Sequence, residues 1–274
     1  MRFVPAQPTA TRAPRRGWRR GAALLGMLAL LCAPSAQAEL LQIGERQLDV
    51  PPPRGYVSTR IYHPELVRTF AAFVPPGARL LDVYLSNEDF KVLHNGGTPA
   101  MARTFQLQVL EAGVDRLVSP EGLAELSQAL ERGLAKPPAG LRFLGASAPE
   151  PWGWFHSVEA TDAKGVPTTV AQGLVLVNHQ LVTLLHFIDG NAPGAREAAE
   201  AGVRDWALAL RADNREQQYL AEQAGKLDPG AIPGLGGGGG NGSASGSMAY
   251  TIGRALGIGL FVYIVWRLLR RRRS

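Results

Sequence analysis

Five histidines are the side chains of this sequence that come closest to a catalytic or metal-binding set. They are His63, His94, His156, His179 and His186. No two of them stand one helical turn apart, as the zinc ligands of an HExxH helix do. His156 and His186 fall on different predicted strands, and Glu159 lies near the first, so a metal-dependent or hydrolytic site is one hypothesis. Because strand residues three apart point to opposite faces, the spacing of His156 and Glu159 favours half-buried sheet histidines.

Other short motifs predict neither a nucleophile nor a phosphate site. The segment Gly145-Ala146-Ser147-Ala148-Pro149 lacks the last glycine of the G-x-S-x-G elbow that presents a hydrolase serine. Glu88 and Asp89, close to Asp82, are better explained as the start of a helix than as an acid–base pair. The glycine run 236–240 is not followed by Lys-Ser or Lys-Thr, so it is not a phosphate loop. We predict no catalytic, cofactor-binding or metal-binding residue and no cofactor, and leave enzymatic activity uncertain.

The amino-terminal residues resemble a secretory signal. Arginines at 12, 15, 16, 19 and 20 precede an apolar stretch over 21–33, and Ala36-Gln37-Ala38 supplies the small residues that a signal peptidase recognises. We therefore predict a signal peptide over 1–38; the alternative is an uncleaved signal anchor. Cys32, the only cysteine, lies inside it. Cleavage would leave a mature chain without thiols, which excludes disulfides, zinc thiolate sites and cysteine nucleophiles.

The carboxy-terminal segment predicts a membrane anchor. A Gly/Ser-rich linker over 226–248 leads to an apolar stretch over 249–268, and a basic tail follows at 269–274. Aromatic residues near both ends of the stretch and arginines beyond it predict a transmembrane helix with a cytoplasmic carboxy terminus. An amphipathic helix on the membrane surface is the alternative. Gly253 and Gly257 share one helix face, a spacing that allows self-association through the span.

The charge of the chain changes when its two ends are set apart. The whole chain has a formal charge of +6, but twelve of its 29 basic residues lie in the two terminal segments. Residues 39–248 keep the other 17 basic residues and all 23 acidic ones, a net of about −6. Nucleic-acid binding requires a basic face, so nucleic acid is not an expected partner.

Residues 39–225 predict a single exported domain, because their apolar patterns describe strands and helices of ordinary length. Strands are expected over 40–50, 79–85 and 104–109, the last with one wet face. Helices are expected from His63-Pro64-Glu65, briefly from Ser86, and from Ser119.

A meander of strands at 141–144, 152–161, 168–177 and 180–188, turning at Asn178-His179, precedes a final helix over 195–210. Trp152 and Trp154 are placed on one strand face opposite Phe155, and core packing is favoured over a binding ledge. Tight hairpins with helices gathered on one side predict an α+β fold with an antiparallel sheet.

Two segments resemble known families. The hairpin VNHQLVTLLHF and the helix ending in RDWALALRADN, within 84–214, resemble the PsbP-like α/β/α sandwich. That resemblance implies a domain that binds or stabilises partners. The carboxy-terminal sequence, a glycine-rich segment, a span and an arginine cluster, resembles the GlyGly-CTERM sorting signals, in which a rhomboid-type protease cuts near the glycines.

We therefore predict a membrane-tethered periplasmic binding or accessory domain, single-pass in a bacterial inner membrane, without evident catalytic activity. Expected partners are the membrane itself and an unidentified protein at its surface. Two alternatives stay open: a periplasmic hydrolase or metal-dependent enzyme using the sheet histidines, and a surface protein sorted by cleavage at the linker.

Overall fold

In a computed structural model that describes residues 38–162 and 165–215, seven strands form one antiparallel sheet and two more form a hairpin. The strands are β1 Glu39–Ile43, β2 Arg46–Val50, β3 Tyr56–Ser58, β4 Ala78–Ser86, β5 Arg103–Leu110, β6 Leu141–Ala146, β7 Gly153–Thr161, β8 Pro167–Val177 and β9 Gln180–Asp189. The helices are α1 Pro64–Ala71, α2 Asn87–His94, α3 Pro120–Leu134 and α4 Ala195–Asp213. The large sheet runs β3-β4-β5-β9-β8-β7-β6. This arrangement confirms the predicted α+β class.

The four-strand meander is confirmed, with its turn at the predicted residues. β6, β7, β8 and β9 pair in sequence, and Val177 faces Gln180 across the last turn. Asn178 and His179 both adopt positive φ, 52° and 60°, the backbone of a two-residue hairpin turn. β9 then pairs with β5, which joins the meander to the strands at the beginning of the domain.

Helices cover both faces of the sheet, so the expectation of helices on one side is wrong. α4 packs on β7, β8 and β9 on one face, while α3 lies over β7 and β8 on the other, beside α1 and α2. The reason is visible in β8, which is buried at every position from Thr168 to Val177. A strand that is buried on both faces requires a covering layer on each side.

α4 approaches the sheet closely because glycine stands at two contact points. A Cβ atom added at Gly202 would lie 2.6 Å from His186 Nδ1, and one at Gly173 would lie 2.9 Å from Val203 Cγ1 of α4. Trp206, on the same helix, is buried and donates its indole N–H to the Pro51 carbonyl at 2.8 Å. These contacts fix the helix against the sheet and against the segment after β2.

The first predicted strand is in fact a hairpin. β1 and β2 pair antiparallel from Glu39–Val50 to Ile43–Arg46, and Gly44 takes a φ of 60° in the turn. The short strand β3 was not anticipated by the sequence pattern. The capped helix starts are confirmed: the Ser86 hydroxyl accepts from the Asp89 N–H, and the Ser119 hydroxyl accepts from the Gly122 N–H.

Two expectations about strand faces are wrong. β5 has no wet face, since Thr104, Gln106 and Gln108 are all buried. Trp152 and Trp154 do not share a face, because Trp152 precedes β7 and packs against Phe155 beneath α4. Trp154 is fully buried on the other face with α3, so the core interpretation is correct for that residue.

The terminal predictions fall outside the described residues. They are residues 1–37 of the signal peptide, the end of the exported domain from 216, and the linker, the span and the basic tail. Within the part of the chain that the structure describes, no helix is both long and apolar enough to cross a membrane.

Candidate functional site

Five polar side chains lie on neighbouring strands of the sheet face that α1, α2 and α3 cover. We call this set the polar band; it consists of Gln106 and Gln108 on β5, Thr183 on β9, Gln172 on β8 and His156 on β7. His156 is paired with Gln172, Leu185 lies between Gln172 and Gln106, and Thr183 is paired with Gln108. Since paired residues share a face, the five side chains follow one another across four strands.

The polar band separates two apolar clusters. On one side, Leu66 and Phe70 of α1 pack with Val158 and Phe187 of the sheet. On the other side, α3 contributes Leu123, Leu126 and Leu130, which pack with Trp154 and Leu174. The five polar side chains are only 1–7 % exposed, so they lie inside the domain between these clusters.

Most of the buried polar atoms here lack a hydrogen-bond partner in the protein. The one bond within the band joins Gln108 Nε2 to Gln106 Oε1 at 2.9 Å. Among the described residues, partners are lacking for His156 Nδ1, Gln172 Nε2, Thr183 Oγ1 and, beside the band, Trp154 Nε1. A buried polar group left unpaired costs about 1–3 kcal/mol, so four neighbouring ones are an unusual concentration in a folded domain.

His156 is neutral in this setting. Burial lowers the pKa of His156 to about 4. Its ring lies 4.6 Å from that of Trp154, centroid to centroid, tilted by 30°. A neutral imidazole offers one N–H and one lone pair, which suits it to hydrogen bonding. The band contains no Asp, Glu, Lys or Arg, so it presents an uncharged surface.

The three residues of the metal or hydrolase hypothesis are not brought together. His156 pairs with Gln172, whereas His186 pairs with Ala171, the next residue of β8, so the two rings lie on opposite faces. His186 stacks on Phe105 with 3.7 Å between ring centroids, beneath α4. Glu159 forms an ion pair with Arg142 at 2.9 Å. Within residues 38–162 and 165–215 no group of three or more His, Cys, Asp or Glu is placed to hold a metal ion.

The other candidate residues serve turns and caps or lie at the surface. His179 is in the β8–β9 turn, and the Asp89 carboxylate accepts from the Met101 N–H at 3.2 Å as well as from the cap residue Ser86. His63 and His94 lie 6.0 Å apart by ring centroids, and both contact Phe90.

These two histidines belong to a surface cluster that we call the aromatic patch. It consists of Ile61, Tyr62, His63, Phe90 and His94. Ile61 and Tyr62 are 62 % and 58 % exposed, and the Tyr62 ring meets Phe90 edge-on at 5.4 Å. Large apolar side chains at such exposure, grouped together, are typical of surfaces that contact another molecule.

Sequence reasoning missed the polar band for an identifiable reason. Thr104, Gln106 and Gln108 alternate with Phe105, Leu107 and Val109, which is the pattern of a strand with one solvated face. A usable signal was present in β8 and β9, where Gln172 interrupts the apolar run 170–177 and Thr183 interrupts the apolar run 181–185. An isolated polar residue in such a run predicts a buried polar group that needs a partner.

Comparison with known proteins adds little. No family model matches the chain, and no curated protein matches it. Among solved structures, the Ran-binding protein Mog1p of Saccharomyces cerevisiae is 14% identical with a TM-score of 0.29, covering 66% of this chain and 94% of that one. A mutant form of Mog1 is 16% identical with a TM-score of 0.30, covering 65% and 93%. Likeness at this level supports no inference about function, and the PsbP-like resemblance stays a prediction.

Proposed function

We propose that this chain is an exported binding domain, tethered to a membrane by its carboxy-terminal segment, and that its ligand binds at the polar band. The observation that supports the proposal is the group of four unpartnered, buried polar atoms on His156, Gln172, Thr183 and Trp154. A ligand that pairs with these atoms would recover the free energy that each one costs the folded domain. The proposal assigns them recognition by hydrogen bonding and no catalytic step.

The sheet face that carries the polar band is slightly exposed near its centre, which is compatible with a ligand binding there. Leu185 and Gln172, in the middle of the sheet, are 8 % and 7 % exposed, whereas Leu184, on the opposite face, is 0 % exposed. α1 and α2 lie against β4, and α3 lies over β7 and β8. Solvent therefore touches Leu185 and Gln172 between these helices, while the unpartnered atoms themselves are shielded from it.

The predicted carboxy-terminal anchor would place ligand binding at the membrane surface. The signal peptide, the linker and the span are sequence-based predictions, and together they would hold the domain on the periplasmic side of an inner membrane. A linker of about 20 Gly-rich residues has a root-mean-square reach of roughly 25 Å, so the domain would stay near the bilayer without a fixed orientation. An accessory role, in which ligand binding is passed on to a membrane-surface partner, fits this arrangement.

Native mass spectrometry tests the proposal. The full-length chain would be purified in mild detergent from the membrane of the bacterium that makes it, and small molecules released on denaturation would be compared with those from a Gln172→Leu, Thr183→Val variant. We expect a stoichiometric small molecule in the first sample and its loss in the second, with the far-ultraviolet circular dichroism of the two chains unchanged. Identical small-molecule content in both, including none in either, would contradict binding at the polar band.

A protein partner at the aromatic patch is a second candidate function, favoured by the exposure of Ile61 and Tyr62. Crosslinking in the membrane, followed by pull-down, would compare the wild type with Ile61→Ser, Tyr62→Ser. Loss of a defined crosslinked species in the variant would support docking there. The same species at equal yield would contradict it.

A further inference from the structure

We infer that the ligand of the polar band is an uncharged small molecule rich in hydrogen-bond acceptors. This inference rests on the proposed function, since it names the chemical class of the molecule that would bind at the same residues. Three properties of the band carry it: the absence of charge, the excess of donors among the unpartnered atoms, and the distance over which those atoms are spread.

The absence of charge excludes an ionic ligand. The side chains of the band are three amides, a hydroxyl and an imidazole, and the neighbouring Trp154 is also neutral. Bringing a carboxylate, phosphate or ammonium group to a site that is less than one-tenth exposed would strip its hydration without supplying a counter-charge. Such a cost exceeds what a few neutral hydrogen bonds return, so a neutral ligand is favoured.

The unpartnered atoms are mainly donors. The indole nitrogen of Trp154 and the amide nitrogen of Gln172 can only donate, whereas the Thr183 hydroxyl can donate or accept. His156 Nδ1 donates or accepts according to its tautomer. A ligand that satisfies the two obligate donors must therefore present acceptor oxygens, such as those of carbonyl, ether or hydroxyl groups, with at least two free lone pairs.

The spread of these atoms sets a scale for the ligand. His156 lies on β7 and Thr183 on β9, with β8 between them. Two strand spacings amount to about 10 Å. A molecule that bridges the unpartnered atoms from His156 to Thr183 therefore needs a length of only about 10 Å, which is the size of a small molecule.

Three probes of nearly equal shape separate the possibilities: acetamide, acetate and acetamidinium. They differ in charge, and acetamide is the neutral one with a carbonyl acceptor. The full-length chain would be labelled with nitrogen-15 at its tryptophans, and the indole N–H resonance of Trp154 would be assigned with Trp154→Phe. We expect acetamide to shift this resonance saturably, with a dissociation constant in the millimolar range because so small a probe makes few contacts. Acetate and acetamidinium should leave it in place.

Two variants control the measurement. Gln172→Leu removes a donor from the polar band and should weaken the acetamide response at least several-fold. Tyr84→Phe removes a buried hydroxyl beneath α4, on the other face of the sheet, and should leave the response unchanged.

Three other outcomes of the titration would contradict the inference. A saturable shift with acetate or acetamidinium, equal to or larger than that with acetamide, would overturn the uncharged class while leaving the band a binding site. No saturable shift with any probe would overturn the band as a binding site, and with it the proposed function. An acetamide response that Gln172→Leu does not alter would place the probe elsewhere and overturn the inference.

Discussion

Ser58 Oγ donates to Asp82 Oδ2 at 2.6 Å, and the same hydroxyl oxygen lies 3.1 Å from Glu39 Oε2. One hydroxyl proton cannot serve both carboxylates at once, and Glu39 has a second partner in Arg60, whose Nε lies 3.5 Å from Glu39 Oε1. Asp82 is completely buried, and its other oxygen accepts from the Arg60 and Val83 N–H groups. The contacts of Ser58 with Glu39 and Asp82 therefore link the first residue of β1 to β3 and β4 at the edge of the large sheet. Asp82 is the group in this link whose protonation changes with pH.

Asp82 should make the stability of the domain depend on pH. Burial, the largest cause, raises the pKa of Asp82 from 3.8 to about 6, the negative charge of Glu39 adds to the rise, and hydrogen bonds from Ser58 and two backbone N–H groups oppose it. The folded state therefore holds the proton more tightly than the unfolded state. The contribution of Asp82 is fully present below about pH 4 and is lost as the pH rises to about 6. Over that window the loss is about 3 kcal/mol.

The variant Asp82→Asn tests this dependence. The amide keeps one oxygen for the two backbone N–H groups and carries no charge, so we expect the variant to be more stable than the wild type above pH 6, by up to about 3 kcal/mol. Below about pH 4 the two should converge. Urea unfolding across the pH range measures the difference, with Asp205→Asn on the exposed side of α4 as the matched control. A constant difference between Asp82→Asn and wild type at every pH would contradict the assignment.

The comparison must be made between variant and wild type, because two histidines act in the opposite direction. Burial lowers the pKa values of His156 and His186 from 6.5 to about 4. Their contributions to stability are present above pH 6.5 and are lost as the pH falls towards 4. The difference between two chains that both carry these histidines cancels that effect.

Two buried threonines form a matched pair that tests whether the polar band is built for a ligand. Thr183 Oγ1 has no partner in the protein, whereas Thr59 Oγ1 donates to the Val83 carbonyl at 2.8 Å. Thr183→Val should raise the free energy of unfolding by about 1 kcal/mol, since it removes an unpaired buried group. Thr59→Val should lower it by about 1 kcal/mol, since it removes a bond that is made. Chemical denaturation of the ligand-free proteins measures both, and equal destabilisation would show that Thr183 is already satisfied.

A pair of helical glycines tests the close packing of α4. Gly202→Ala places a Cβ atom 2.6 Å from His186 Nδ1, whereas the same atom at Gly133, near the end of α3, meets nothing within 4 Å. We expect Gly202→Ala to destabilise the domain by about 1–3 kcal/mol despite the better helix propensity of alanine. Gly133→Ala should be neutral or stabilising by up to about 1 kcal/mol. Thermal unfolding of both variants measures the difference. Equal melting temperatures would contradict the close contact between Gly202 of α4 and His186 of the sheet.

Local signals in the sequence predicted much of the fold. The serine caps at Ser86 and Ser119, the turn at Asn178-His179 and the order of the four meander strands depend on residues close together in the chain, and the structure confirms them. The polar band was not predictable in the same way. Its burial depends on the pairing of β5 with β9, residues about 80 positions apart, and no local pattern encodes that pairing. Thr104, Gln106 and Gln108 therefore suggested a wet face until the neighbouring strand was in place.

The last prediction concerns the topology on which the proposed function depends. A reporter that is active only outside the cytoplasm, fused after residue 225, should be active, because a signal peptide over 1–38 would export the domain. The same reporter fused after residue 274 should be silent, because the arginines that follow the apolar stretch favour the cytoplasmic side. A cytoplasmic reporter at the same two positions provides the reciprocal control. Activity of the export reporter at both positions would rule out a single span and place the whole chain in the periplasm, where binding at the polar band would continue without a transmembrane anchor.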